Sequence, residues 1–323
     1  MDDRSRASRS TSGGASSAAH LTRRAALGLG VGAVLAGCAG VPQSASPSAS
    51  GQGAPATAAT TTPAATTTTG PATSTSGPVP SATRQPGAAT VAELEARYNG
   101  VAPRAWGLQV PGVVRSIPAD GAKVVALTFD ACGGRGGSSY DAALVDLLRR
   151  NQVKATLFLN YRWIKANPNA VRDLADDPLF ELANHGTRHQ PLSVRGRAAY
   201  GIAGTRDVRE VYEEVETNAA FMERMLGRPV PLFRCGTAFY DDVAARIVHD
   251  LGRYAVGFSV NGDAGATFTA PQIVTALRDV RPGSIVIAHL NHPERATAAG
   301  LRRGIPALRR EGYEFVQLSD RLV

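Results

Sequence analysis

Seven short apolar runs alternate with helical stretches between residues 123 and 318, and this alternation restricts the possible folds more than any other feature. The predicted strands are Lys123–Phe129, Lys154–Leu159, Phe180–Ala183, Pro231–Phe233, Ala255–Ser259, Ser284–Ala288 and Phe315–Leu318. Repeated strand–helix units form a parallel sheet or barrel whose site lies at the carboxyl ends of the strands. The sequence therefore predicts an α/β fold with parallel strands and one functional edge.

The segments between these strands carry apolar residues three and four positions apart, which is the spacing of a helix with one buried face. The predicted helices are Tyr140–Arg150, Ala170–Ala175, Asp207–Leu226, Asp241–Leu251, Pro271–Val280 and Ala296–Arg310. A long loop is predicted over residues 190–205. The roughly 230 residues from 91 onward are enough for one sizeable hydrophobic core.

The first 37 residues have the organisation of an export signal. Arg23 and Arg24 precede an uncharged apolar run of 13 residues, Ala25–Gly37, which is shorter than the roughly 20 residues that cross a bilayer. The paired arginines are typical of the twin-arginine route, which exports folded proteins. Residues 35–38 resemble a bacterial lipobox, which implies cleavage before Cys38 and lipidation of its sulfur; simple secretion is the alternative. We expect an exported protein, lipid-anchored to the cell membrane and facing the cell wall.

Residues 38–90 consist almost entirely of Ala, Ser, Thr, Pro and Gly, with Arg84 as their single charged residue. Such a segment buries too little apolar surface to offset its chain entropy, so it is predicted to be a disordered linker. The chain thus divides into a signal peptide (1–37), a linker (38–90) and a folded domain (91–323).

The charge of the folded region argues against a nucleic-acid partner. Residues 91–323 hold 29 basic and 25 acidic residues, so they provide no dense basic face. Three cysteines in the whole chain are too few for a disulfide scaffold. Cys132 and Cys235 each follow a predicted strand, and both a bridge between them and two separate buried thiols remain open. We expect a monomer.

Titratable and polar side chains follow the predicted strands, at the edge where a parallel sheet or barrel carries its site. They are Asp130, His185, His189, Arg234, Asn261, Asp263 and His289. His185 and His189 lie four positions apart, so one helical turn would place both imidazoles on the same side, as metal ligands require. A purely structural role for this pair is the alternative.

Four short motifs, taken together, resemble the polysaccharide deacetylases of carbohydrate esterase family 4. They are Leu-Thr-Phe-Asp at 127–130, His-Gly-Thr-Arg-His at 185–189, Phe-Arg at 233–234 and Ile-Ala-His at 287–289. The resemblance covers about residues 123–318 and implies the NodB homology fold, a distorted (β/α) barrel. It also implies hydrolysis of the carbon–nitrogen bond of an N-acetyl group on a cell-wall or chitin-like sugar.

The resemblance assigns a role to each of four residues. Asp130 matches the general base, and Arg234 matches the arginine that orients this base. His289 matches the general acid for the leaving amine, and Asp263 matches the aspartate that orients this histidine. The chemistry is consistent, because an amide is a poor electrophile with a poor leaving group and needs both a base for water and an acid for nitrogen.

A divalent metal, often zinc, is a further implication of the resemblance. In the family it is held by an aspartate and the two histidines matched here by His185 and His189, and it polarises the acetyl carbonyl. The metal-binding aspartate is normally the second of two at the end of the first motif. Here that position is Ala131, so the expected ligand set is incomplete.

Four arrangements remain open for this incomplete set. Asp130 itself completes the metal site with the two histidines, or the third ligand comes from Asp263, Asp241 or the Cys132 thiolate. In the third arrangement the site is metal-free and hydrolyses a small amide. In the fourth the domain is inactive and only binds glycan.

Two further residues are candidate substrate contacts, Tyr240 after the arginine motif and Asn291 after the histidine motif. Other aromatic residues that could stack on a sugar are Trp106, Trp163 and Tyr200. For all the aromatic residues, Tyr240 included, packing in the interior is the favoured role.

Overall fold

The computed structural model describes residues 88–323. The predicted signal peptide, the predicted lipidation site Cys38 and the predicted linker up to residue 87 lie outside the described residues. Among residues 88–323, no helix is both long enough and apolar enough to cross a membrane.

The strands of the described part are short except at the centre of the sheet. They are β1 (Trp106–Gly107), β2 (Val113–Val114), β3 (Val124–Ala131), β4 (Ala155–Leu159), β5 (Phe180–Asn184), β6 (Leu232–Phe233), β7 (Tyr240–Asp241), β8 (Tyr254–Val256), β9 (Val260–Asn261), β10 (Ser284–His289) and β11 (Glu314–Phe315).

The helices alternate with these strands along most of the chain. They are α1 (Val91–Tyr98), α2 (Ala142–Arg150), α3 (Tyr161–Ala166), α4 (Pro168–Ala175), α5 (Val208–Leu226), α6 (Asp242–Asp250), α7 (Ala270–Ala276), a single 3₁₀ turn (Leu277–Asp279), α8 (Thr297–Arg310) and α9 (Ser319–Leu322).

The main sheet is parallel throughout and runs in the order β2-β8-β6-β5-β4-β3-β10-β9, with β11 pairing with the start of β3. This order, with helices between most of the strands from β3 onward, confirms the distorted (β/α) barrel. Strands β3 and β10 are in a register that places His289 opposite Asp130. The carboxyl ends of the central strands therefore present their side chains at one level.

The strand β3 is the longest fully buried strand of the described residues, since all eight of its residues are buried. Helix α5 buries one apolar stripe, as predicted, and its buried members include Val208, Val211, Val215, Ala219 and Met222. The left-handed Gly227 ends this helix at φ 66°. A rigid sheet backed by such helices is what holds the strand ends in place.

One predicted strand, 255–259, is divided in the structure. β8 pairs with β6 and β2, whereas β9 pairs with β10, so the chain changes partners between Val256 and Val260. In this gap the carbonyl oxygen of Gly257 is free of the ladder and accepts a hydrogen bond from Nη2 of Arg234 at 2.9 Å. The break in the sheet thus provides an acceptor for a residue of the site.

Candidate active site

Asp130 and Arg234 form a buried ion pair at the ends of β3 and β6. Nη1 of Arg234 donates to Oδ1 of Asp130 at 2.8 Å and to Oγ1 of Thr128 at 2.9 Å. The guanidinium is fully buried and stacks 4.2 Å above the ring of Phe158. Burial by itself raises the pKa of Asp130, but the neighbouring His185, Arg234 and His289 lower it below its usual value. Asp130 is therefore held as a carboxylate.

His289 and Asp263 form a second pair on the other side of Asp130. Nδ1 of His289 lies 2.9 Å from Oδ1 of Asp263, and the backbone amide of His289 donates to Oδ2 of the same carboxylate at 2.7 Å. Thr297 also donates to Oδ2, at 2.9 Å. Burial by itself lowers the pKa of His289, but Asp263 raises it well above its usual value. The arrangement favours a protonated imidazole.

His185 and His189 are close together, although not in the way the spacing predicts. They do not lie on a helical turn, because the chain leaves β5 in a loop in which Gly186 and His189 both have positive φ angles, 75° and 64°. The two imidazole rings meet edge to face with centroids 5.0 Å apart. Nδ1 of His185 donates to the carbonyl oxygen of Arg234 at 2.9 Å.

The Cys132 thiol lies against this pair of histidines. The ligand atoms of Cys132, His185 and His189 all lie within 4.8 Å of one another, and Sγ is 3.8 Å from Nε2 of His185. Oδ2 of Asp130 is 3.6 Å from the same nitrogen. Burial by itself raises the pKa of the thiol, but the surrounding imidazoles, His189 foremost, lower it well below its usual value.

Two of the suggested substitutes for the third ligand are occupied elsewhere. Both oxygens of Asp263 hold His289, as described above. Asp241 caps α6 by accepting from the backbone amide of Ala244 at 2.7 Å, and its other oxygen accepts from the amide of Val194 at 2.7 Å. Cys132 is thus the one of the three that faces the histidines.

The prediction that Tyr240 contacts the substrate is wrong, because its side chain is fully buried. Its hydroxyl accepts from the backbone amide of Cys235 at 3.0 Å, and burial raises the pKa of the phenol well above its usual value. Tyr240 therefore fixes the chain just after Arg234 instead of meeting a ligand.

Cys132 and Cys235 are both free thiols, so no bridge closes the mouth of the site. Cys235 is fully buried and donates to the carbonyl oxygen of Phe239 at 3.1 Å. Burial raises the pKa of this thiol to about 12. The two cysteines thus differ sharply in environment.

A cavity of about 350 Å³ opens over these groups. Asp130, Cys132, His189 and His289 line its floor, and Tyr200 stands at its rim with 75% of its surface exposed. Tyr200 was expected to pack in the interior, and that expectation is wrong. Its ring makes an edge-to-face contact with the ring of Phe239, with centroids 5.2 Å apart, and Phe239 contacts the ring of Trp106 at 5.7 Å.

Asn291, the other predicted substrate contact, is fully buried. Its Nδ2 donates to the carbonyl oxygen of Gly137 at 3.0 Å, which ties the glycine-rich loop after β3 to the end of β10. Its Oδ1 is buried and has no hydrogen-bond partner among the described residues. A direct contact of Asn291 with substrate stays a prediction.

Glu214 was missed by the sequence analysis, yet it holds the histidine loop in place. Its fully buried carboxylate accepts from the backbone amides of Arg188 at 2.8 Å and Gln190 at 3.1 Å, on either side of His189. Burial raises the pKa of this carboxyl. The available signal was a glutamate beside Val211 and Val215 on the buried stripe of α5, since an unpaired charge is rarely placed there.

Known proteins with similar sequences support this arrangement of strands and motifs. Residues 118–256 match the family model described as polysaccharide deacetylase. Residues 118–256 carry a polysaccharide deacetylase domain. It is a hydrolase of carbon–nitrogen bonds in N-acetyl groups. The match includes Asp130 and Arg234 but ends before Asp263 and His289. The role of this second pair is therefore supported by its geometry and not by the family match.

Curated relatives of this deacetylase domain cover similar parts of the chain. A peptidoglycan-N-acetylglucosamine deacetylase of Bacillus cereus is 25% identical over 62% of this chain and 88% of its own length. A peptidoglycan-N-acetylmuramic acid deacetylase of Bacillus subtilis is 22% identical over 61% of this chain and 71% of its own. A bifunctional xylanase/deacetylase of Pseudobutyrivibrio xylanivorans is 24% identical, but only 30% of its length is covered.

Solved structures show the same fold. A mutant of a carbohydrate esterase family 4 pseudoenzyme from Bacillus anthracis has a TM-score of 0.56 at 22% identity, over 66% of this chain and 71% of its own. A peptidoglycan N-acetylglucosamine deacetylase in complex with an N-oxidanyl-benzamide has a TM-score of 0.55 at 22% identity, over 65% of this chain and 92% of its own. At this level of identity the likeness carries the fold alone.

Proposed function

We propose that this protein is an exported, membrane-tethered enzyme that removes acetyl groups from an N-acetylated amino-sugar polymer of the cell envelope. The observation that carries the proposal is the placement of a carboxyl group, Asp130, and an imidazole, His289, opposite each other on adjacent strands that line one cavity. Amide hydrolysis needs a base for the attacking water and an acid for the departing nitrogen.

Asp130 is the base in this proposal. Its Oδ1 is bound to Arg234, which fixes the carboxylate and keeps it ionised, and Oδ2 accepts the proton of the attacking water. Removing a water proton without a positioned base is slow, and such a base contributes about 10²–10⁴-fold in rate.

His289 is the acid. Nδ1–H of His289 donates a hydrogen bond to Asp263. The hydrogen on Nε2 therefore points away from Asp263 and is available for transfer to the amine nitrogen as the carbon–nitrogen bond breaks. The products are acetate and a free amino sugar. Asp263 is a positioning residue, since it acts through His289.

Residues fit for a divalent metal lie beside this pair. His185 directs Nε2 towards the cavity because its Nδ1 is bound to a carbonyl oxygen, and Nε2 of His189 is buried without a hydrogen-bond partner among the described residues. A metal held there would supply a Lewis acid that polarises the acetyl carbonyl. Zinc suits imidazole ligands.

The rim of the cavity suits a sugar chain. Tyr200 lines the same cavity as the reactive groups and offers an exposed aromatic face, of the kind on which a pyranose ring packs its apolar side. The printed activities of the relatives, on N-acetylglucosamine and N-acetylmuramic acid in peptidoglycan, support the same substrate class. A lipid anchor at Cys38 and a linker of about 50 residues would hold the domain within reach of the wall.

The test is release of acetate by the purified protein from peptidoglycan, from chitooligosaccharides and from acetylated xylan, before and after removal of metal by a chelator. The proposal predicts release from the amide substrates, loss of release on chelation and its return on adding zinc. Activity that a chelator does not change would identify a metal-free amidohydrolase. If the zinc-loaded protein released no acetate from any substrate, the domain would be an inactive one that only binds glycan.

A further inference from the structure

The third metal ligand is the open question at this site. Ala131, at the position where the resemblance places a carboxylate ligand, is buried in β3 and offers no donor atom. The next residue, Cys132, leaves the strand and brings its sulfur to the two histidines. We propose that the Cys132 thiolate is the third protein ligand, so that this chain holds its metal through one sulfur and two imidazole nitrogens. The inference rests on the metal site of the proposed function and names its ligands.

The two imidazoles are already prepared as ligands. The carbonyl oxygen of Arg234 can only accept a hydrogen bond, so Nδ1 of His185 carries a hydrogen, and Nε2 is the nitrogen that faces Cys132 and is left for a metal. A hydrogen bond of this kind behind the ring is what orients metal-binding histidines. On the other ring, Nε2 of His189 is buried and unpartnered among the described residues, which is costly unless a ligand occupies the position.

The distances agree with a tetrahedral ion. Sγ of Cys132 and Nε2 of His185 are 3.8 Å apart. With Zn–S of about 2.3 Å and Zn–N of about 2.0–2.1 Å, two such ligands of a tetrahedral zinc are roughly 3.6 Å apart. All three donor atoms lie within 4.8 Å of one another, so small side-chain shifts bring the third into range.

Asp130 is free for catalysis in this arrangement. Its Oδ1 is bound to Arg234, and its Oδ2 lies 3.6 Å from Nε2 of His185 without being needed as a ligand. Ligation by Cys132 therefore removes the conflict in which one carboxylate would serve both as ligand and as base. A thiolate also brings the same single negative charge as the missing carboxylate.

Sulfur changes which metals the site accepts. When the ion binds, the Cys132 S–H bond gives its proton to solvent and the sulfur electron pair forms the bond to the metal. Thiolate and imidazole favour zinc and cobalt, whereas magnesium, calcium and manganese prefer oxygen ligands. We therefore expect the protein to bind Co²⁺ and Zn²⁺ and to discriminate against Mg²⁺ and Mn²⁺.

The experiment loads the metal-free full-length protein with Co²⁺ and records its absorption spectrum. A cobalt–thiolate bond gives an intense charge-transfer band in the near ultraviolet, which histidine and carboxylate ligands do not give. The band is expected in the wild type and in Cys235→Ser, whose sulfur faces Phe239, and it is expected to disappear in Cys132→Ser. The Co²⁺ affinity of Cys132→Ser should fall more than about 10-fold, since loss of even a supporting hydrogen bond costs about 10–100-fold.

Two further measurements keep the test decisive if Cys132→Ser does not fold. Cys132→Asp should bind one Co²⁺ per chain without the band, because it restores a carboxylate and removes the sulfur. In the wild type, bound Zn²⁺ should block alkylation of Cys132 by iodoacetamide. Stoichiometric Co²⁺ without the band, an unchanged band in Cys132→Ser, or no Co²⁺ binding at all would overturn the proposal.

The outcome is separable from that of the proposed function. A missing band together with metal-dependent acetate release would reject sulfur ligation and leave the deacetylase proposal standing. A band without acetate release from any substrate would establish the ligand set and reject the enzymatic role.

Discussion

At the scale of single residues, the site contains two charge pairs, Asp130 with Arg234 and His289 with Asp263. His185 and Arg234 lower the pKa of Asp130 on one side, and Asp263 raises the pKa of His289 on the other. Neither member would hold its state alone in so buried a place, because burial disfavours the charged form of each. The pairing therefore sets which group takes a proton and which gives one.

The pair of His289 and Asp263 predicts a specific change in pH dependence. Asp263 raises the pKa of His289, and a general acid must be protonated, so activity should persist until the pH exceeds this raised pKa. Asp263→Asn removes the charge, which lowers the pKa and moves the basic limb of the kcat profile to lower pH. Thr297→Val is the control, because it removes only a neutral hydrogen bond to the same carboxylate. An unmoved basic limb in Asp263→Asn would exclude His289 as the acid.

Arg234 predicts a loss of stability. Arg234→Met leaves Asp130 buried without its partner, and breaking a buried ion pair costs about 3–5 kcal/mol. The free energy of unfolding, measured by denaturant titration, should fall by that amount. Arg135→Met is the matched control, since Arg135 is exposed on the loop close by and should change stability by less than about 0.5 kcal/mol. Equal effects of the two substitutions would contradict the described burial of Arg234.

At the scale of elements, the loop between β5 and α5 carries the histidines and depends on two close approaches. Glu214 of α5 binds the backbone on both sides of His189. Gly236, after β6, lies so close to the same residue that an added Cβ would be 2.4 Å from the His189 carbonyl carbon and 2.6 Å from its Cγ. The position of His189 is thus fixed by elements distant in sequence.

Gly236→Ala should therefore displace His189 and weaken metal binding. Direct titration with Zn²⁺ should show a rise in Kd of about 10-fold or more, in line with the effect of disturbing the supports of a metal ligand. Gly227→Ala is the control, because Gly227 ends α5 at positive φ with open space around it. It should cost about 1 kcal/mol of stability and leave the Kd unchanged. Equal Kd values for wild type and Gly236→Ala would indicate that His189 does not bind the metal.

The sequence predicts the regular elements better than the geometry of the site. The strand–helix alternation and the strand-end residues Asp130, Arg234 and His289 follow from periodicity and position, and the structure brings them together. The four-residue spacing of the histidines fits a helical turn, and spacing alone does not reveal the loop with positive φ at His189. The short helix α3 was missed because its cap, Asn160, also serves the backbone of the histidine loop.

Tyr200 and Tyr240 show that the burial of a side chain is also hard to predict from the sequence. Both are tyrosines in or beside loops, and their sequence surroundings do not distinguish them. The structure buries Tyr240 completely and exposes 75% of Tyr200. The difference arises from tertiary contacts, with Phe233 in the core for one and with Phe239 at the rim for the other.

At the scale of the whole molecule, the predicted tether decides where the chemistry takes place. A lipid on Cys38 would confine the domain to the membrane surface, and the linker would set its reach towards the wall. Cys38→Ser should release the protein from the membrane fraction into the medium while acetate release by the purified protein stays the same. Quantitative blotting of membrane and medium fractions measures this, and unchanged membrane retention of Cys38→Ser would reject the lipid anchor.

The most direct test of the central account is mass spectrometry of an N-acetylglucosamine oligomer after incubation with the zinc-loaded protein. The account predicts products in which an acetyl group has been replaced by hydrogen with the glycosidic bonds intact. Asp130→Asn should form such products at least about 100-fold more slowly, since it removes the base and keeps the shape. Equal product formation by wild type and Asp130→Asn, or oligomers left unchanged by the wild type, would contradict the assignment of this site as a metal-assisted deacetylase.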